Sequence, residues 1–169
     1  MPELTEFRRE KDAFFREDPS SPLLPAQRAA FAGLRYYPEN PDLVFDLVPE
    51  PLADAEVVTM QTSTGDEQRY LRWAIASFDI EGTPVSLTMY RDPHGGYFLP
   101  FTDAERGAET YGAGRYLEPE VHDDGSAVLD FNYAYNPYCA YNDGWSCPLP
   151  PAENHLKVRV PAGEMVFHD

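Results

Sequence analysis

The sequence predicts a mainly β protein, an antiparallel β-sandwich or barrel preceded by a short helical segment. From Leu43 onward, apolar residues recur at every second position in short runs. Turn residues separate these runs, and 17 prolines and 11 glycines are spread along the 169-residue chain. Short alternating strands joined by turns are the mark of antiparallel sheets packed face to face or closed on themselves.

Residues 1–34 read as helical. Thr5 is placed to cap a helix from Glu6 to Glu17, with Leu4, Phe7, Phe14 and Phe15 near one face and Asp18-Pro19 ending it. Pro25 suits the first turn of a second short helix carrying Ala29, Ala30 and Phe31, with Gly33 as its stop. The β region runs over residues 43–169. Its strands are expected at Leu43–Val48, Leu71–Ile75, Val85–Met89, Tyr97–Phe101, Thr110–Leu117, Ala127–Tyr133 and Leu156–Val160. No repeat or composition break divides the chain, so 1–169 reads as a single domain.

Composition bounds the function. With 43% hydrophobic and 14% aromatic residues the chain has the material for a core, which argues against disorder. The net charge of −16 repels nucleic acid and anionic membranes, and neither is expected as a partner. Only Lys11 and Lys157 among the 13 cationic residues are lysine. An acidic, lysine-poor surface suits a high-salt cytoplasm or a GC-rich genome, and solubility explains it equally well. No apolar run has the length of a membrane span, and the charged N-terminus does not read as a secretory signal, so a cytoplasmic location is expected.

Two hairpins shape the segment from Glu109 to Glu164, the candidate site. Asp124-Gly125 signals a two-residue loop that sets Leu117 opposite Asn132 and Tyr116 opposite Tyr133. Arg115, Asp130 and Asn132 then share one face, a polar pocket or a solvated surface. A three-residue loop reverses that parity. Asn142-Asp143-Gly144 reads as a three-residue loop with Gly144 left-handed, placing Cys139 opposite Cys147. Directly opposed Cβ atoms lie about 4.5–5.5 Å apart and a disulfide wants about 3.5–4.5 Å, so a bridge sits near the limit of reach.

Three readings of the cysteines are open: a structural staple, metal ligands with His155 as third donor, or a nucleophile at Cys139 or Cys147 with His155 as base. The even spacing of Cys139, Cys147 and His155 is unlike zinc sites, whose paired thiolates usually stand about two to four residues apart. Gly112 and Gly114 resemble a phosphate loop only superficially, because the third glycine and the lysine are missing. The tyrosine-rich cluster Tyr133, Tyr135, Tyr138 and Tyr141, with Asn132, Asn136 and Asn142, suits a neutral polar ligand such as a sugar or nucleoside, or a hydrogen-bonded β-core corner.

The segments FRREKDAFF, ETYGAGRYL and LDFNYAYNPYCAYNDGWSCPLPPAENHL, with a later AGE, resemble a bacterial and archaeal family of domains of unknown function, number 1684. The resemblance spans nearly the whole chain. It implies a stand-alone domain without an established activity, cofactor or catalytic residue. The positions it marks here are Glu109, Tyr111, Arg115, Asp130, Asn132, Asn136, Cys139, Cys147, Asn154 and Glu164. Some relatives look exported, which keeps the disulfide reading open.

The leading expectation is a binding domain for a small polar molecule, lined by Tyr111, Arg115, Asp130, Asn132, Tyr135, Asn136, Cys139 and Tyr141. Were it an enzyme, the catalytic candidates are Glu109, Arg115, Asp130 and Cys139, with Glu109 or Asp130 as base and Arg115 holding an anionic or carbonyl oxygen. The alternatives are a non-catalytic structural or interaction module and a metal site at Cys139, Cys147 and His155. The sequence points to no particular cofactor or oligomeric state.

Overall fold

A computed structural model describes residues 2–53 and 56–168. Among the described residues, helix α1 (Pro2–Glu17) and the short α2 (Pro25–Ala29) precede nine strands. These are β1 (Val44–Leu47), β2 (Glu50–Pro51), β3 (Val57–Gln61), β4 (Glu67–Ile80), β5 (Thr83–Arg91), β6 (Tyr97–Phe101), β7 (Arg115–Leu117), β8 (Glu120–Val121) and β9 (Ala127–Asp130). The fold is mainly β and antiparallel, as the two-residue period requires. Helix α1 starts at Pro2, ahead of the expected cap at Thr5. A proline in the first turn has no N–H to leave unpaired, and Glu3 there complements the helix dipole.

In the larger sheet β4 pairs with β5, β5 with β6 and β6 with β7, while β2 and β3 lie end to end along the other edge of β4. The smaller sheet has the order β1-β9-β8. One core joins them: Ala76, Leu87, Met89, Leu99, Phe101 and Leu117 from the larger sheet meet Ala127, Leu129 and Phe131. Phe45 of β1 packs at a tilt against Phe78 of β4, 4.4 Å between ring centroids, which ties the two layers directly. Among the described residues no helix is long and apolar enough to cross a membrane.

A bulge at Trp73 decides which faces of β4 are covered. The pairing Arg72↔Tyr90 is followed by Ala74↔Met89, so Trp73 is the extra residue and the side chains change face across it. Ala74 and Ala76 therefore point into the main core. Tyr70 packs on the opposite face with Met60, Tyr90 and Phe98. That second apolar patch continues through Phe98 to Tyr116, whose rings meet edge-on at 4.7 Å. The tyrosine-rich segment after Tyr133 lies against it.

Three expected strands are shorter than their sequence pattern or are absent as strands. The one predicted over Thr110–Leu117 is reduced to β7, because Gly114 turns left-handed (φ +110°) and Thr110 is bound to Asp103. The one predicted to Tyr133 stops at Asp130, whose carboxylate accepts from the Asn132 amide at 3.0 Å and starts a 3-10 turn over Phe131–Tyr133. Residues 156–160 belong to neither sheet and run beside 102–104, with Leu156 N donating to Thr102 O (2.8 Å) and Ala104 N to Val158 O (2.9 Å). Asn154 anchors that run: fully buried, it accepts from Thr88 N (2.8 Å) and donates to Thr88 O (2.9 Å) and Pro100 O (2.8 Å), clamping β5 to β6.

The β8–β9 loop corrects the predicted register. His122 pairs with Ser126, so Asp123, Asp124 and Gly125 form a three-residue loop. A two-residue turn needs φ above zero at both positions; here only Gly125 takes it (φ +88°), while Asp124 accepts hydrogen bonds from Ser126. Strand β7 pairs with β6 instead of β9, and the grouping of Arg115 with Asp130 and Asn132 on one face is lost.

Replacing Asn154 with alanine deletes three buried hydrogen bonds and should destabilise the fold by roughly 2–4 kcal/mol. Urea denaturation measures this, and an unchanged midpoint would show that the clamp carries no load.

Candidate functional site

The Arg115 guanidinium is fully buried on the inner face of β7, 5.2 Å above the Phe101 ring. It donates to the carbonyl oxygens of Val160 (2.9 Å), Ala162 and Glu164 (3.1 Å), and Asp103 lies 3.6 Å away. Asp103 in turn accepts from Val160 N (2.8 Å) and Thr110 Oγ1 (2.7 Å). Burial depresses the pKa of the guanidinium, and the Asp103 charge opposes that shift. Gly163 makes the bend possible: φ is +78°, and a Cβ there would lie 2.6 Å from Ala134 O.

One residue on, the Glu164 carboxylate is buried and fully partnered. Oε1 accepts from Asn136 N (3.0 Å) and Tyr141 Oη (2.8 Å), and Oε2 is bound by the Lys11 ammonium. Burial, then the Glu164 charge, pushes the Tyr141 hydroxyl far above the tyrosine range, so it stays a donor. Lys11 stands on the inner face of α1, with its ammonium 5.0 Å from the centroid of Tyr135 and 5.7 Å from that of Phe15.

Above this pair lies an open cleft of about 590 Å³ between α1 and residues 135–147. Phe7, Phe14, Tyr138 and Trp145 supply ring surface, and Lys11, Glu118, Asn136 and Ser146 supply polar groups. Tyr138 and Trp145 meet edge-on at 5.0 Å, and Trp145 remains 40% exposed. Tyr135 donates to Glu118 at 2.8 Å. Asn136 donates to Met165 O (3.0 Å), while its Oδ1 is buried without a hydrogen-bond partner.

The cysteine segment is not the expected hairpin. Residues Tyr138–Ala140 form a 3-10 turn entered from Pro137, and Asn142 Oδ1 accepts from Gly144 N at 3.0 Å. That side-chain bond sets the turn without a positive φ at Gly144. The return chain is held by Ser63 instead of by residues 138–141: Ser63 Oγ donates to Trp145 O (3.0 Å) and accepts from Cys147 N (3.1 Å). The cysteines still meet, as buried free thiols, with Cys139 N donating to Cys147 Sγ at 3.3 Å. Tyr111 Oη lies 3.5 Å from Cys139 Sγ.

The sequence-derived candidates thus separate. Tyr135 and Asn136 line the cleft, and Cys139 and Tyr141 pack behind it. Arg115 is sealed in the core. Asn132 is tied to Asn40 through N and O (2.8 and 3.0 Å), and Asp130 caps that turn. Glu109 accepts from Tyr37 and Arg159 outside the cleft, bonds that hold its pKa down. Exposed His155 sets Nε2 3.0 Å from Pro150 O, and among the described residues no group of three or more His, Cys, Asp or Glu side chains is gathered to hold a metal. The space around Gly114 is filled by Pro150 and Phe101 O. Lys11, Phe14, Glu118 and Trp145 went unmarked in the sequence. The FRREKDAFF run holds two of them, but nothing in it marks a partner 153 residues away.

Arg115→Met should cost roughly 3–5 kcal/mol by leaving Asp103 unpaired in the core. Adding Asp103→Asn should recover part of that loss in urea denaturation. Hydrogen bonds from Cys147, opposed by burial, lower the Cys139 thiol pKa to about 6, while Cys147, as donor, is held above the ordinary thiol range. Thiolate absorbance should therefore show one ionisation near pH 6 in the folded protein, and both near about 8.5 in denaturant. Because the folded value is the lower one, this thiolate adds stability above the unfolded pKa, and that contribution is lost as pH falls through about 6.

A solution NMR structure of an uncharacterized protein from Haloarcula marismortui (gene locus rrnAC0354) is similar to this chain, with a TM-score of 0.73 and 39% identity. The likeness covers 97% of this chain and 92% of that one, so it takes in most of α1. No curated protein matches. A family model described as "Protein of unknown function (DUF1684)" matches residues 29–165, and the chain belongs to that family.

Proposed function

We propose that this protein binds a small, neutral, polar ring compound, of the sugar or nucleoside kind, in the cleft between α1 and residues 135–147. The observation that carries this reading is the composition of the cleft. Exposed aromatic surface at Trp145 and Phe7 faces the polar side chains of Lys11, Glu118 and Ser146. Ring faces stack on such surfaces, and hydroxyl groups meet both donors and acceptors. Neutrality follows from charge: Lys11 is already answered by Glu164, and the net charge of −16 disfavours an anion.

A specific observation favours a second reading, a non-catalytic structural or interaction module. Arg115, Asn132, Asn154 and Glu164 satisfy their polar atoms internally, largely against backbone. In that reading the aromatic cleft is a by-product of holding an irregular chain.

Saturation-transfer NMR with a panel of monosaccharides and nucleosides separates the two. Binding of at least one ring compound is expected. Trp145→Ala should weaken it by roughly tenfold or more, the worth of one stacked ring, with the thermal midpoint nearly unchanged. A panel without binders, or binding indifferent to Trp145→Ala, would favour the structural module.

A further inference from the structure

The binding reading leaves the two cysteines unused, and their surroundings are those of a reactive pair. Each sulfur has a donor of its own: the Cys139 amide for Cys147 Sγ at 3.3 Å, and the Tyr111 hydroxyl for Cys139 Sγ at 3.5 Å. The charge of the half-ionised pair rests on Cys139, and the Cys139 amide supports it when it passes to Cys147. The bond from the Cys139 amide to Cys147 Sγ brings the two cysteines together, and their interaction lowers the first ionisation of the pair. The chain on either side is fixed. Cys139 sits in the 3-10 turn over Tyr138–Ala140, and Cys147 is bound through N to Ser63 Oγ and through O to Ser63 N (2.9 Å).

Access is one-sided. Cys147 lines the cleft and Cys139 does not. Both are largely buried, at 8% and 6% exposure, so a reagent must be small and must enter by the cleft. Ionisable and closely paired thiols, reachable from one side, have the arrangement of an attacking and a resolving cysteine.

We propose that Cys139 and Cys147 are a redox-active dithiol that reduces small disulfides entering the cleft, with Cys147 attacking and Cys139 resolving. The Cys147 thiol passes its proton to the Cys139 thiolate as its sulfur forms a bond to one sulfur of the disulfide RSSR. The S–S bond breaks, and one RS⁻ leaves and takes a proton as RSH. The Cys139 thiolate then attacks the Cys147 sulfur of the mixed disulfide, expelling the second RS⁻, which is likewise protonated. Two electrons pass from the cysteines to RSSR, giving the Cys139–Cys147 disulfide and two RSH. A small dithiol reverses both steps. The proposal goes beyond ligand binding and needs the cleft only as an entrance.

The test uses the reduced full chain and bis(hydroxyethyl) disulfide, a neutral probe, with acid quenching and intact mass. The native protein should lose two hydrogens, regain them with dithiothreitol, and react roughly tenfold or more faster than the chain in denaturant at neutral pH. Cys139→Ser should accumulate a mixed disulfide at Cys147, and Cys147→Ser far less adduct. Should either variant fail to fold, peptide mapping of wild-type protein quenched part-way locates the adduct. A native rate no faster than the unfolded one, or an adduct mainly at Cys139, would overturn the proposal. Neither result bears on whether ring compounds bind.

Discussion

A guanidinium removed from water has to be answered on every side, and in this fold the answer to Arg115 is the course of the C-terminal chain. The carbonyls of Val160, Ala162 and Glu164 turn toward it, and Asp103 supplies the balancing charge. Because Asp103 also accepts from Val160 N and Thr110, one ion pair fixes three separate stretches of backbone. The bend this demands at Gly163 brings the chain within 2.6 Å, measured from a notional Cβ, of Ala134 O. The non-repetitive half of the protein is built outward from that charge.

Glu164 carries the arrangement to the surface. Its backbone carbonyl belongs to Arg115 and its carboxylate to Asn136, Tyr141 and Lys11. Through Lys11 the N-terminal helix is held against the tyrosine-rich segment, and the cleft is the gap left between them. Cys147 lines it and Cys139 lies behind its floor, between Tyr111 and the Ser63 turn. The cleft and the cysteine pair thus share one buried support, so a change at Arg115 or Glu164 acts on both through geometry.

Comparison of the sequence pattern with the fold separates two kinds of region. Strands β5 and β6 were legible because a sheet with one buried face imposes a period of two, and Tyr97–Phe101 was bounded correctly. The segments after Asp130 were not, since side-chain hydrogen bonds replace the ladder there and leave no period to read. The pocket grouping of Arg115, Asp130 and Asn132 failed on one residue of loop length, because sheet faces invert with every single-residue slip. Tyr135 and Asn136 were found as cleft residues from composition alone, whereas Lys11 and Trp145 became cleft residues only when distant segments met.

By itself the sequence determined that this is a mainly β, strongly acidic member of its family. Alternation, turn residues and charge are local or additive properties, and they survive without a fold. Only the tertiary structure decided that Arg115 is a strut, that Lys11 faces the cleft, and that Cys139 and Cys147 meet without a hairpin. Those outcomes depend on which buried charge finds which partner across as many as 153 residues of chain, and no local pattern encodes that choice.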